Sequence, residues 1–171
     1  MLHILSTSVL PLLLFVAAAS DVVSLRIPNW LTGLTALLFF PMALATAMPL
    51  HDFGLHLAAG MGLFVAGFLF FQLGLFGGGD AKLLAAAGLW LGPSLTLQFL
   101  FVTAMAGGIL ALLVLLWSMF NIFWELEAKS KFTQNLGQKL RAIKPNVPYG
   151  VALAVGGIFA FKDSWWMAAI A

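Results

Sequence analysis

Two aspartates are the residues of this chain whose type and setting could do chemistry. Asp80 directly follows three glycines, Gly77, Gly78 and Gly79, and stands between long apolar runs. Asp21 stands at the end of the first apolar run. A carboxylate at membrane depth is energetically costly and usually marks a functional site. The sequence therefore indicates acid–base chemistry by two carboxylates inside a bilayer.

Two carboxylates that meet in one site cannot both ionise, so they share a proton. The ionised partner can take a proton from water, and the protonated partner can donate one to a peptide carbonyl. This is the chemistry of an aspartic protease, and it requires neither a metal nor a cofactor. The sequence leaves open which aspartate plays which part.

The composition is that of an integral membrane protein of one domain, residues 1–171. The chain is 63% hydrophobic and 8% charged, whereas roughly a quarter of a soluble domain is charged. The net charge of +2 does not indicate a nucleic-acid partner. The chain has no cysteine, which excludes a disulfide framework, a thiolate zinc site and a cysteine nucleophile. The three histidines, His3, His51 and His56, are scattered and do not indicate a metal site.

The apolar runs predict an all-α fold, a polytopic membrane helix bundle with about six transmembrane helices. The first run resembles the core of a signal peptide, but no Lys or Arg precedes it, so we expect it to be retained. The fourth and sixth segments are short. The predicted segments are residues 3–20, 30–48, 54–76, 80–92, 95–117 and 147–161.

The basic residues predict the orientation of the bundle. With six spans, seven of the eight Lys and Arg residues lie on one side, and only Lys162 lies on the other. The positive-inside rule places the first side in the cytosol and the N-terminus outside. Asp21 and Asp80 were not used in this assignment, yet both fall on the cytosolic side. We therefore predict that the chemistry takes place at the cytosolic face.

Residues 118–146 form the one long polar connection and are predicted to be a cytosolic amphipathic loop. Leu136, Leu140 and Ile143 repeat at helical spacing, with polar and basic residues between them. This pattern is typical of a helix that lies on the inner leaflet of a membrane.

The residues around the aspartates predict how the chain turns. Pro28 keeps Ile27 out of the helical region, and Asn29 is expected to cap a helix that begins at Trp30. Asp21 is thus expected to end one helix, and Asp80 to begin another.

The short fourth segment predicts that Asp80 is sunk in the bilayer. From Asp80 to Leu91 a helix spans about 18 Å at 1.5 Å per residue, but the hydrocarbon core is about 30 Å thick. With Gly92 and Pro93 at the outer surface, the three glycines before Asp80 would form a loop that dips into the bilayer. Irregular backbone at that depth must be buried in protein or face water.

Two segments carry a resemblance to the prepilin peptidases, membrane aspartic proteases with a Gly-x-Gly-Asp motif. They read Asp21-x4-Arg26-Ile27-Pro28-Asn29 and Gly77-x-Gly79-Asp80-x-Lys82-Leu83. The closer likeness is to the short form that serves Flp-type, or tight-adherence, pili. The segments 85–92 and 148–152 are also similar to that subgroup.

The resemblance implies an intramembrane aspartic endopeptidase of the bacterial cytoplasmic membrane. Its substrate would be a prepilin whose basic leader is removed at the cytosolic face. Larger members carry a cysteine-rich N-terminal domain linked to zinc and to N-methylation. This chain has no cysteine, so we expect peptidase activity only. The catalytic residues implied are Asp21 and Asp80, and the residues expected to bind substrate or shape the loops are Gly77, Gly78, Gly79, Lys82 and Tyr149.

Two other functions are compatible with the sequence. A small transporter or channel could employ Asp21 and Asp80 as a proton relay. A non-catalytic assembly scaffold would not need either carboxylate. The predicted placement of both carboxylates toward one face, with no matching pair toward the other, favours the protease.

Overall fold

The structure, a computed structural model, describes residues 2–128 and 147–168, which form helices without any strand. The predicted all-α class is therefore confirmed. In chain order the helices are α1 Leu2–Ser24, α2 Asn29–Ala45, α3 Leu50–Gln72, α4 Gly78–Ala128, α5 Tyr149–Phe161 and α6 Trp165–Ala168. The last two are short, at 13 and 4 residues.

Several helices have the length and apolar composition of membrane-spanning helices. Three stretches are long and apolar enough to cross a membrane, namely Ser6–Ser24, Leu50–Gln72 and Gly78–Asn121. Helices α2 and α5 are apolar but shorter. The backbone at Gly92 leaves the helical region, with φ 70° and ψ 178°, directly before Pro93. Residues 78–91 and 93–128 are therefore two helical parts of α4. With this interruption all six predicted apolar segments are present.

The predicted start of the third segment was wrong by several residues. Helix α3 begins at Leu50, after Pro49, rather than at residue 54. Proline suits a helix start because its missing N–H would have no partner there. His51 and Asp52 therefore belong to the first turn of α3.

The predicted glycine loop is also shorter than expected. Helix α3 ends at Gln72, and Gly74 adopts φ 70° in the turn that follows. A glycine in the left-handed region is a common helix terminator. Helix α4 then begins at Gly78. Of the three consecutive glycines, Gly78 and Gly79 therefore lie in the first turn of α4, and Gly77 lies in the loop before it.

The first part of α4 packs closely on α3, and this contact gives the position of Asp80 along α3. A Cβ on Gly67 would lie 3.1 Å from the Cα of Ala81. Gly67 is five positions from the end of α3, which corresponds to roughly 8 Å along the helix axis. Asp80 therefore lies alongside α3 rather than beyond its end, and its depth in a bilayer stays a prediction.

The interruption of α4 lies beside α3, several residues from the end of α3 at Leu50. His56 Nδ1 lies 2.8 Å from the carbonyl oxygen of Leu89, and a Cβ on Gly92 would meet the His56 ring. His56 is six positions after Leu50, so Gly92 lies roughly 9 Å from that end of α3. Gly92 and Pro93 therefore lie short of the Leu50 end of α3, and their position relative to the outer membrane surface stays a prediction.

An aromatic cluster fixes this end of the bundle. Trp90 Nε1 donates to the carbonyl oxygen of Thr35 at 2.8 Å, and Trp166 Nε1 donates to that of Trp90 at 2.7 Å. The ring of Phe39 contacts both indoles. Both indole N–H groups are thus satisfied although the side chains are fully buried.

The long polar connection is only partly described. Helix α4 continues to Ala128, so residues 118–128 are helical. Residues 129–146, which include Leu136, Leu140 and Ile143, lie outside the described residues. The amphipathic helix on the inner leaflet stays a prediction.

Candidate active site

Asp21 and Asp80 line the same cavity, which has a volume of about 190 Å³. Asp21 lies in the last turn of α1, and Asp80 lies in the first turn of α4, as the sequence predicted. The two carboxylates, from the ends of two separate helices, therefore border the same space. The other lining residues are Leu25, Arg26, Ile27, Gly77, Gly78 and Gly79.

One oxygen of Asp80 is held by the backbone and the other is unpaired. The N–H of Gly77 donates to Asp80 Oδ2 at 3.1 Å. Asp80 Oδ1 is buried and has no hydrogen-bond partner. Buried polar atoms without a partner are rare in folded proteins. Asp80 Oδ1 is therefore available to a proton, a water molecule or a bound peptide.

Asp21 is held in the same way by a distant glycine. The N–H of Gly150, in the first turn of α5, donates to Asp21 Oδ2 at 2.6 Å. A Cβ on Gly150 would lie 2.9 Å from both the Cβ and Oδ2 of Asp21, so this approach requires glycine. The N-terminus of a helix favours negative charge. Gly150 is thus part of the site, a role that the sequence reasoning did not assign.

The turn between α1 and α2 forms the wall between the two carboxylate-bearing helices. The hydroxyls of Ser20 and Ser24 donate to the carbonyl oxygen of Arg26 at 3.0 and 3.1 Å. The buried Ile27 then packs on α4, where a Cβ on Gly79 would lie 2.9 Å from the carbonyl oxygen of Ile27. Gly79 therefore lets the turn and the first turn of α4 meet directly.

Lys82 and Asn29 lie outside this cavity and bind each other. Lys82 Nζ donates to Asn29 Oδ1 at 2.7 Å. The prediction that Asn29 caps a helix beginning at Trp30 was wrong, because α2 begins at Asn29 itself and Pro28 is the N-cap residue. The Asn29 side chain instead accepts a hydrogen bond from the ammonium group of Lys82.

Gly78 lines the cavity, whereas Tyr149 lies outside it, directly before Gly150 in the sequence. A Cβ on Gly78 would make an ordinary contact of 3.5 Å with the ring of Phe71. The Tyr149 ring contacts the Phe76 ring, with centroids 5.4 Å apart.

The arrangement can carry out general acid–base catalysis on a peptide bond. Each carboxylate has one oxygen fixed by a glycine N–H, from Gly77 or from Gly150. Fixed carboxylates in a shared cavity can exchange protons with a water molecule and a carbonyl oxygen. The geometry is therefore compatible with acid–base catalysis by the two aspartates.

Comparison with known proteins gives one family. Residues 8–112 match the model of the type IV leader peptidase family. This match covers more than half of the chain and includes both Asp21 and Asp80. No curated protein and no solved structure matches the chain.

Proposed function

Because the chain belongs to the type IV leader peptidase family, we propose that it is an aspartic endopeptidase in which Asp21 and Asp80 are the catalytic pair. The observation that carries this proposal is the shared cavity of the two carboxylates. The two residues lie in α1 and α4, and the packing of these helices brings them to one cavity. Two carboxylates that border one cavity are suited to general acid–base catalysis.

The proposed reaction needs only these two groups and water. The ionised carboxylate takes a proton from a water molecule while the water oxygen attacks the peptide carbonyl carbon. The protonated carboxyl group donates its proton to the carbonyl oxygen. In the tetrahedral intermediate that results, the carboxyl group that took the water proton gives it to the leaving nitrogen as the C–N bond breaks. The other carboxylate takes a proton from a hydroxyl of the intermediate, which restores the starting pair. The N–H groups of Gly77 and Gly150 keep both carboxylates in position throughout.

The proposed substrate is a prepilin of the Flp type, cut between its basic leader and its apolar helix. The motifs around Asp21 and Asp80 support this choice, because they resemble those of the short prepilin peptidases. The concentration of Lys and Arg toward the same side as the carboxylates supports cleavage at the cytosolic face of the bacterial inner membrane. In this proposal residues 1–171 are one peptidase domain, with 118–146 on the cytosolic side.

The test is cleavage of candidate prepilins that are co-expressed with the peptidase. We expect Asp21→Asn and Asp80→Asn each to reduce leader removal by at least roughly 100-fold, because each removes a general acid or base. The matched control is Asp52→Asn, which changes a carboxylate in the first turn of α3, away from the cavity. Leader removal is read from the mobility of the pilin on a gel, and membrane insertion is measured in parallel.

Normal processing by either active-site variant would refute the catalytic assignment. The transporter alternative makes a different prediction from the same variants. It expects proton flux across vesicles containing the wild-type protein, lost in the Asp variants, and no leader removal by any of them.

A further inference from the structure

A second and larger cavity lies between α2 and α3. Both helices pack on α4, and the space between them is an apolar groove of about 450 Å³. Small residues leave the groove open, and larger apolar side chains form its edges. Its apolar lining includes Gly33, Ala36 and Phe40 of α2, Met61 and Phe64 of α3, and Ala86 of α4.

The groove lies on the other side of α4 from the catalytic cavity. Lys82, Ala85, Ala86 and Leu89 all line it, and they have the i, i+3, i+4, i+7 spacing of one helix face. At about 100° per residue, this face points away from Asp80. The two cavities share no lining residue, so a peptide at the carboxylates does not need the groove.

One end of the groove carries a positive charge. Lys82 is exposed there, beside Asn29 and Thr32. A lysine ammonium has three N–H donors, and Asn29 Oδ1 accepts one of them. Within residues 2–128 and 147–168 no carboxylate pairs with Lys82. Two donors and the charge are therefore available to an anion at this end.

The rest of the groove suits a hydrocarbon chain. Past Phe40 it adjoins a second apolar cavity of about 270 Å³, which is lined by residues such as Ala43, Met48 and Phe53. Together the two cavities follow α2, whose 17 residues span roughly 25 Å. An anion at one end and an apolar channel along the rest match a phospholipid, because basic residues near a bilayer surface attract anionic headgroups.

We propose that this groove is a binding site for an anionic phospholipid. The lipid phosphate contacts the ammonium group of Lys82, and an acyl chain lies along the groove toward Phe40. The bound lipid bridges α2, α3 and α4 beside the first turn that carries Asp80. This site shares no lining residue with the catalytic cavity, and it gives Lys82 a lipid contact in place of the substrate-binding or loop-shaping role that the resemblance implied.

The test measures lipid binding by native mass spectrometry of the full-length protein in detergent. Phosphatidylglycerol and phosphatidylcholine are titrated separately. We expect phosphatidylglycerol to bind the wild-type protein at least fivefold more tightly, and Lys82→Gln to remove that preference. Gly33→Leu should weaken both lipids at least fivefold, because no atom lies within 4 Å of a Cβ on Gly33 and the leucine fills the groove. The control is Gly62→Leu, which is equally unobstructed but outside the groove lining.

Equal binding of the two lipids to the wild-type protein, or equal effects of Gly33→Leu and Gly62→Leu, would overturn the proposal. If Gly33→Leu fails to fold, Ala36→Leu replaces it as the variant that fills the groove. An increased KM for prepilin in the groove-filling variant, with lipid binding unchanged, would assign the groove to the substrate helix and also overturn the proposal. Since the readout is lipid mass, failure of the peptidase assignment leaves the result interpretable.

Discussion

At the scale of residues, each aspartate depends on a glycine N–H that holds one of its oxygens. Gly77 is three positions before Asp80, whereas Gly150 comes from a helix at the other end of the chain. A side chain on either glycine would meet the carboxylate it binds. The two glycines therefore limit where each carboxylate can point, and the second oxygen of Asp80 has no hydrogen-bond partner.

Gly150→Ala tests this dependence. The added Cβ would lie 2.9 Å from Asp21 and from Ile27 Cδ1, so Asp21 must move. We expect leader removal to fall at least roughly tenfold, since small displacements of catalytic groups are costly. Gly108→Ala is the control, because its Cβ would meet no atom within 4 Å. Equal cleavage rates of the two variants at equal expression would contradict the role of Gly150.

Gly79→Ala and Gly78→Ala form a second matched pair. The Cβ on Gly79 would lie 2.9 Å from the carbonyl oxygen of Ile27, whereas the Cβ on Gly78 would lie 3.5 Å from Phe71. Overpacking of this kind costs roughly 1–3 kcal/mol. We expect Gly79→Ala to lower cleavage several-fold and Gly78→Ala to retain it. The idea fails if Gly78→Ala is the more damaging change in the same cleavage assay.

The sequence predicted the local part of the site but not its long-range contacts. The helix-end positions of Asp21 and Asp80 follow from neighbouring residues, so they could be predicted. The bond from Gly150 to Asp21 spans a separation of 129 positions, and no local pattern indicates it. Asn29 was misassigned as a cap for the same reason, because its side chain binds Lys82, 53 positions away.

At the scale of elements, the interruption of α4 returns the chain to the site. The part before Gly92 carries Asp80, and the part after it brings Gly107 beside Tyr149 at the start of α5. The segment lengths and Pro93 predicted two helices here. The position of the interruption beside α3 could not be predicted, because it depends on the contact between Gly92 and His56 of α3.

Gly92→Ala should destabilise the fold without touching the carboxylates. The backbone at φ 70° and ψ 178° belongs to a region that is essentially restricted to glycine. The added Cβ would also lie 2.7 Å from His56 Nε2. We expect a loss of roughly 1–3 kcal/mol, measured as a lower Tm in detergent. Gly62→Ala is the control, and an equal Tm for both variants would contradict the strain argument.

At the scale of the whole molecule, the lengths of the helices predict a catalytic site below the membrane surface. Helix α3 has 23 residues and spans roughly 35 Å, more than the hydrocarbon core of about 30 Å. Residues 78–91 and α5 are much shorter, at roughly 20 Å each. The first carries Asp80 in its first turn, and the second binds Asp21 through the N–H of Gly150. Hydrolysis at that depth requires a cavity that water can enter from one side.

Cysteine labelling tests this whole-molecule arrangement, since the chain has no cysteine of its own. Gly78→Cys lines the catalytic cavity, and Leu50→Cys is exposed at the opposite end of α3. We expect a small membrane-impermeant thiol reagent to label position 78 from the cytosolic side only and position 50 from the outside only. Ala81→Cys should label poorly from both sides, because Ala81 is 6% exposed and packs on Gly67, and a thiol in apolar surroundings stays protonated and unreactive. Labelling of position 78 from the outside would reverse the orientation, and its failure to label from either side would rule out a water-filled cavity at the carboxylates.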